Sequence, residues 1–292
     1  QPLLRLSTIW QNIQELRVSF ERLADVIDTP EESDEVDKSK VMLPPLKGNV
    51  RFENLSFSFR PGQPQVLKHV NLEIPSGTFV GVVGQSGSGK STLMKLLPRL
   101  YEPQQGRILL DGRDIRSIPI ADLRRQLGVV LQDTFLFSGN VADNLRLNAE
   151  ISDQELAGIC RDLGLNDLLQ RLPAGLDTEL RERGGNLSSG ERQLLAVARV
   201  AIRNPTVLVM DEATAFMDPV TEATLQRDLD RLLQKRTAVV IAHRLATVEA
   251  SDRILVLRRG ELIEQGTHLE LRARGGLYAQ LAELQEKGLA RL

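Results

Sequence analysis

Residues 84–91 read Gly84-Gln85-Ser86-Gly87-Ser88-Gly89-Lys90-Ser91, directly after the apolar run 78–83. Glycines at these intervals permit a tight turn whose successive amides point inward, the backbone geometry that cradles a polyphosphate. Lys90 has the reach and the charge to meet the terminal phosphates, and the Ser91 hydroxyl is suited to holding Mg²⁺. The pattern from Thr92 to about Leu100 is helical, so the positive end of that helix would face the same anion.

Three further groups carry chemistry. The apolar run Val207-Leu208-Val209-Met210 ends in Asp211-Glu212, which places two carboxylates at the C-terminal edge of a buried strand, where α/β sheets bind ligands. Asp211 suits Mg²⁺, held through water, and Glu212 suits polarisation of an attacking water. In the stretch Ser188-Ser189-Gly190-Glu191, Ser188 is a candidate N-cap for the helical pattern that follows, and a helix start of this kind exposes free amides. One phosphate chain rarely needs two helix starts from one subunit, so the economical reading is that this second anion site completes the pocket of another chain. His243 follows the strand-like run 237–242, and Gln132 ends the run 127–131. From strand ends on the ligand edge, His243 can reach a terminal phosphate and Gln132 the metal or the water.

The elements that must hold these groups follow from periodicity. Runs 50–59 and 66–74 alternate like antiparallel strands, and strand-like runs recur at 78–83, 107–110, 128–131, 206–210, 237–242, 253–257 and 261–264. Helical patterns fall at 91–100, 153–163, 189–203, 219–234 and 276–286. That alternation argues for an α/β core around a mostly parallel sheet. The predominantly helical stretch 133–185, extending to about residue 200 with the helix after Ser188, reads as an inserted helical subdomain. Residues 3–27 space their apolar positions by three and four, as an amphipathic helix does, and Thr29-Pro30 ends it. Five acids among residues 31–37 mark a solvated linker that runs to about 47.

Composition narrows the class. With 292 residues, 41% of them hydrophobic, the chain can bury a sizeable core. A formal charge of -2 gives no basic footprint for nucleic acid. The single cysteine, Cys160, excludes an internal disulfide framework and reads as a small core residue. No apolar run reaches the roughly 18 residues a membrane-crossing helix needs. The chain opens on Gln1 with a helical pattern already under way, so a longer polypeptide is expected.

Taken in order, these residues resemble the nucleotide-binding domain of an ABC transporter, over about 48–288. The resemblance implies ATP and Mg²⁺ as ligands, ATP hydrolysis as the reaction, and a P-loop NTPase core with a mostly parallel sheet, an N-terminal antiparallel β subdomain and an inserted α-helical subdomain. It implies that Phe59 stacks on adenine, Gly84–Ser91 with Thr92 is the Walker A loop, and Gln132 links metal and transmembrane domain. Glu182-Arg183-Gly184 matches the exporter-type segment before the signature. Asp211 and Glu212 match the Walker B aspartate and catalytic glutamate, Asp218 the D-loop aspartate and His243 the switch histidine.

The phrases around 132–140 and 241–248 look like exporters, and 2–30 resembles the cytoplasmic end of the last transmembrane helix in type I secretion transporters of the haemolysin-exporter kind. On that resemblance the partners are a second nucleotide-binding domain, the protein's own transmembrane domain, a periplasmic adaptor and an outer-membrane channel. The site would be the cytoplasmic face of the inner membrane, and the cargo a protein or peptide.

The resemblance has two departures. The family signature is LSGGQ, and Leu187–Glu191 reads LSSGE. Ser189 adds a side chain where backbone and phosphate approach closely, and Glu191 brings a negative charge towards a nucleotide edge, so the sandwiching of ATP should weaken. Residues Ala215-Phe216-Met217-Asp218 stand where the family usually has Ser-Ala-Leu-Asp. A homodimer with slowed sites and one half of a heterodimer, of a lipid or drug exporter for instance, both fit. Two rivals are a regulatory module that holds ATP without turnover and a non-transport ABC ATPase acting on nucleic acid. The short interval between Lys90 and Ser188, without heptads or paired cysteines, counts against the latter.

Overall fold

A computed structural model describes residues 2–28, 32, 46–131, 134–147, 149–211, 236–241 and 245–288. The chain divides into two compact units, residues 1–41 and 42–292. The first contains the helix α1 (Pro2–Ile27), in agreement with its three-four apolar spacing. Among the described residues no helix is long and apolar enough to cross a membrane.

The second unit is built on two sheets. The first is antiparallel, with strands β1 (Val50–Phe57), β2 (Leu67–Ile74), β4 (Gln105–Leu110) and β5 (Arg113–Asp114) in the order β2-β1-β4-β5. The central sheet contains β3 (Phe79–Val83), β6 (Leu127–Val130), β9 (Val207–Asp211), β10 (Thr237–Ile241), β11 (Arg253–Arg258) and β12 (Glu261–Gly266), ordered β12-β11-β3-β10-β9-β6. Its pairs from β11 to β6 are parallel, and only the β11–β12 pair is antiparallel.

Strands β9 and β10 read as nearly continuous apolar runs because both faces of a parallel sheet are covered. Val207, Val209, Val239 and Ile241 face one core, with Val80, Val82, Leu93, Leu96 and Leu97. Their neighbours Leu208, Met210, Ala238 and Val240 face the other core, with Leu194, Leu195, Ala198 and Ile202. The period of two along a strand produces this division.

The helical subdomain comprises α4 (Val141–Arg146), α5 (Asp153–Asp162), α6 (Asn166–Arg171) and α7 (Ser189–Arg203). It also contains a short antiparallel pair, β7 (Gly139–Asn140) with β8 (Glu179–Leu180), which two-residue strands give no pattern to foretell. Arg199 of α7 fastens the subdomain. Its guanidinium donates to the Asn144 carbonyl at 2.9 Å, the Phe135 carbonyl at 3.0 Å and Asn144 Oδ1 at 3.1 Å. Burial, with Arg203 close by, lowers its pKa to about 10.

The folded unit begins before Gly48, where the sequence reading placed it. Leu46 packs on the core, and the Lys47, Gly48 and Asn49 amides donate to the Asp111 carboxylate. Among the described residues, three α-helices outside the inserted subdomain lacked a sequence signal: α3 (Ile120–Gln126), Leu245–Glu249 and His268–Arg274. The first and third have seven residues and the second five, too short to show a period clearly. Cys160 is 1% exposed, and burial pushes its thiol up to about 11. Because the thiolate is the reactive form, an alkylating reagent at neutral pH should leave the folded chain unmodified over hours and label it only in denaturant, as read by mass spectrometry.

Candidate nucleotide-binding site

The loop 84–89 leaves the C-terminal end of β3 and enters the helix α2 (Lys90–Leu96). Two of its glycines are required by geometry. Gly84 has φ 152°, and a Cβ there would lie 2.2 Å from the Leu257 carbonyl oxygen. Gly89 sits at the cap of α2 with φ 103° and no side-chain hydrogen bond, so the first amides of that helix have no side-chain cap. A Cβ at Gly89 would lie 2.8 Å from Leu67 Cδ2. The Ser88 carbonyl accepts from the Gly260 amide at 3.0 Å, which ties the loop to the β11–β12 turn.

Lys90 is 7% exposed. Its ammonium donates to the Gly84 carbonyl and, at 3.2 Å, to the Gln85 carbonyl. These two bonds hold the ammonium at the mouth of the loop, where its charge can attract an anion. Ser88 is 4% exposed, and its hydroxyl has no hydrogen-bond partner among the described residues. A buried polar atom without a partner calls for a ligand or a water.

One cleft of about 600 Å³ gathers the groups that the sequence separated: Phe59, the loop residues Ser86 to Thr92, and Asp211. Asp211 arrives because β9 lies two strands from β3, and Ile241 of the intervening β10 pairs with both Val82 and Asp211. Adjacent strands lie about 4.8 Å apart, so the carboxylate and the loop flank one strand end. Strands β6, β9 and β10 also end at this edge, two residues before Gln132, one before Glu212 and two before His243. Those three residues and Asp218 lie outside the described residues.

At the other end of the cleft, Phe59 packs edge-on against Phe57, centroids 5.1 Å apart, and against Tyr101, 5.3 Å apart. Phe59 remains 45% exposed, leaving a ring to meet a flat apolar ligand. Tyr101 and Val66, which also lines the cleft, escaped the sequence reading, because neither belongs to a motif and only the fold brings them to Phe59. The set fits a magnesium nucleotide: an aromatic platform, a loop of amides with a cation, and hydroxyls with a carboxylate for the metal. Alanine at Phe59 should weaken ATP binding about tenfold and leave the turnover number intact, since stacking of one base is worth about 1–3 kcal/mol. Steady-state kinetics against ATP concentration would show it as a rise in KM alone.

Comparison with known proteins agrees with this geometry. Residues 67–215 match the family described as ABC transporter.

The chain belongs to the ABC transporter family.

It is 41% identical over 286 residues to the leukotoxin export ATP-binding protein of Aggregatibacter actinomycetemcomitans and 42% identical over 286 residues to the leukotoxin translocation ATP-binding protein of Mannheimia haemolytica. These alignments cover 97% of this chain and 40% of each relative, so the chain spans less than half the length of the curated relatives it matches. Among solved structures it resembles a bacterial Atm1-family ABC exporter with ATP bound, with a TM-score of 0.83 and 37% identity over 96% of this chain and 49% of the other.

The segment Leu187–Glu191, which the sequence reading compared with the family signature, leads into α7. Ser188 is the N-cap, as expected, and accepts from the Glu191 amide at 3.2 Å. Ser188, Ser189, Gly190 and Glu191 are not among the residues that line the cleft of their own chain. The Glu191 carboxylate is engaged within its own chain. It folds back to accept from the Ser188 amide at 2.9 Å, completing a capping box, and Arg171 lies 3.8 Å away. One turn on, Gln193 accepts from the Thr134 hydroxyl at 2.8 Å, which links α7 to the segment that begins at Thr134. His69 and His268 are structural, as read from the sequence: His69 lies 2.9 Å from Asn54 Oδ1 and His268 2.6 Å from the Tyr278 hydroxyl.

Proposed function

We propose that this chain is the ATP-hydrolysing domain of an exporter and that two such domains enclose two Mg·ATP molecules head to tail. The observation that carries the reading is the single cleft that joins an aromatic platform to Lys90 and Asp211 through the phosphate loop. The relatives, which are export and translocation ATP-binding proteins, support the direction of transport.

In this reading Phe59, backed by Tyr101, stacks on the adenine. The amides of Gly84, Gln85, Ser86, Gly87, Ser88 and Gly89 and the Lys90 ammonium hold the phosphates, with the Ser91 and Thr92 hydroxyls beside them. Ser91, Gln132 and Asp211 hold Mg²⁺, which when bound neutralises charge on the phosphate oxygens. Glu212 orients water and takes its proton. His243 hydrogen-bonds the terminal phosphate. The second chain's Ser188–Glu191 and Asp218 close the pocket from the other side. Catalysis is mostly positioning and charge stabilisation, because the phosphoryl group itself needs little covalent help.

Closure on ATP and opening after hydrolysis move a transmembrane domain. An apolar groove of about 350 Å³, lined by Pro98, Leu100, Leu127, Leu131 and Val200 with Arg124, Arg199 and Arg203, offers that domain a place to dock, next to the 133–160 face. In this reading α1 is the cytoplasmic end of the last transmembrane helix, and residues 31–47 are a linker. The assembly sits at the cytoplasmic face of the inner membrane, exports a protein or peptide, and works with a periplasmic adaptor and an outer-membrane channel.

The test is the ATPase rate of the chain against its own concentration with Mg²⁺ present. A rate that rises faster than linearly supports a homodimer whose LSSGE signature completes a working site. Tight ATP binding without turnover at any concentration favours the heterodimer, in which a partner with an intact signature is required. Failure to bind ATP would overturn the reading.

A further inference from the structure

We propose that Glu191 is an internal anion that competes with ATP for the signature helix, and that Arg171 is the positioning residue that moderates the competition. This rests on the head-to-tail reading above. Glu191 Oε2 accepts from the Ser188 amide at 2.9 Å and lies 2.9 Å from the Ser188 hydroxyl. An ionised carboxylate only accepts, so the hydroxyl proton points at Glu191. Both donors that Ser188 could offer a phosphate are therefore taken by a negative charge within the same chain. The Glu191 amide in turn donates to Ser188 Oγ, so the box is closed on both sides. The positive end of the fifteen-residue helix α7 stabilises the carboxylate, and Arg171 lies 3.8 Å from its other oxygen, Oε1.

The box by itself is ordinary. Ser152 with Glu155 and Thr267 with Glu270 form the same one at other helices. What differs is the position, at a helix start that has to meet the phosphate of a facing chain. To do so, Ser188 must release its hydroxyl from Glu191, and a carboxylate and a phosphate must come close together. Glutamine at this position also forms a capping box, so Glu191→Gln removes the charge and leaves the cap. Arg171 screens the same charge, and its loss leaves the carboxylate less compensated. The effect of each substitution therefore depends on the other.

The experiment follows association of the 292-residue chain by sedimentation in Mg·ATP. A Glu212→Gln background keeps the nucleotide intact. The midpoint concentration is measured for this protein and with Glu191→Gln, Arg171→Ala, both together, and Glu155→Gln added. Glu191→Gln should lower the midpoint at least tenfold, which is about 1.4 kcal/mol, with the thermal midpoint unchanged. Arg171→Ala should raise it severalfold alone and do nothing when Glu191 is already glutamine. Glu155→Gln should not move it. Equal midpoints with and without Glu191→Gln overturn the inference, as does an Arg171 effect that persists in the double variant. Absence of association in every variant that binds a fluorescent ATP analogue overturns it too. Absence of nucleotide binding in every variant instead overturns the assignment of the cleft, and binding is measured separately for that reason.

Discussion

Replacing Lys90 with methionine will leave the chain folded and will reduce its ATP hydrolysis by two to three orders of magnitude. Lys90 is 7% exposed, and its ammonium donates to the Gly84 and Gln85 carbonyls. Nothing else that lines the cleft carries a positive charge among the described residues. Loss of one preorganised donor at a centre of developing charge costs about 10²–10³ in rate, and here the donor is also the cation. Methionine is close in length and apolar, so it suits a buried position better than a shortened side chain would. Arginine should not rescue the activity, because a planar fork does not replace a compact ammonium enclosed by a backbone loop. The measurement is an ATPase assay beside a thermal melt. Full activity in Lys90→Met with an unchanged melt would remove the loop from the mechanism. A collapsed melt would show that Lys90 acts through the fold.

Glu212→Gln should have a comparable effect on rate and an opposite effect on nucleotide retention. A general base contributes about 10²–10⁴, and the amide is isosteric and uncharged. ATP binding should persist and the ATP-bound pair of chains should accumulate, because the step that opens it is blocked. Lys90→Met should lose both binding and association. The two variants together distinguish a group that holds the phosphates from one that acts on the water. Trapped dimer in Glu212→Gln would be read by sedimentation, and normal turnover in this variant would remove Glu212 from its role.

The difference between these two residues also separates what was legible early from what was not. The phosphate loop could be read from its own eight residues, since glycines that need positive φ and a lysine at fixed spacing are local requirements. The strands of the central sheet were legible for a related reason. Burial on both faces turns Val207–Met210 and Thr237–Ile241 into continuous apolar runs that periodicity detects. Short elements such as α3 and the β7–β8 pair contain too few residues for a pattern, and long-range contacts fix them instead.

The sequence by itself indicated the chemistry that each group could perform: a polyphosphate cradle, a carboxylate suited to a metal at the end of β9 and a capped helix at Ser188. Only the tertiary structure decided which of these share a site. Strand order brings Asp211 to the phosphate loop although 121 positions separate it from Lys90 in the chain. Packing of the antiparallel sheet sets Tyr101 against Phe59. The start of α7 acquired its particular character in the same way, because Arg171 of α6 stands beside Glu191 of α7 and the carboxylate turns inward to Ser188. The physical reason is one of range. Backbone conformation and capping depend on neighbours a few residues away, and chain-local patterns carry them. The surroundings of a charge depend on whatever the fold packs next to it, which no local pattern contains.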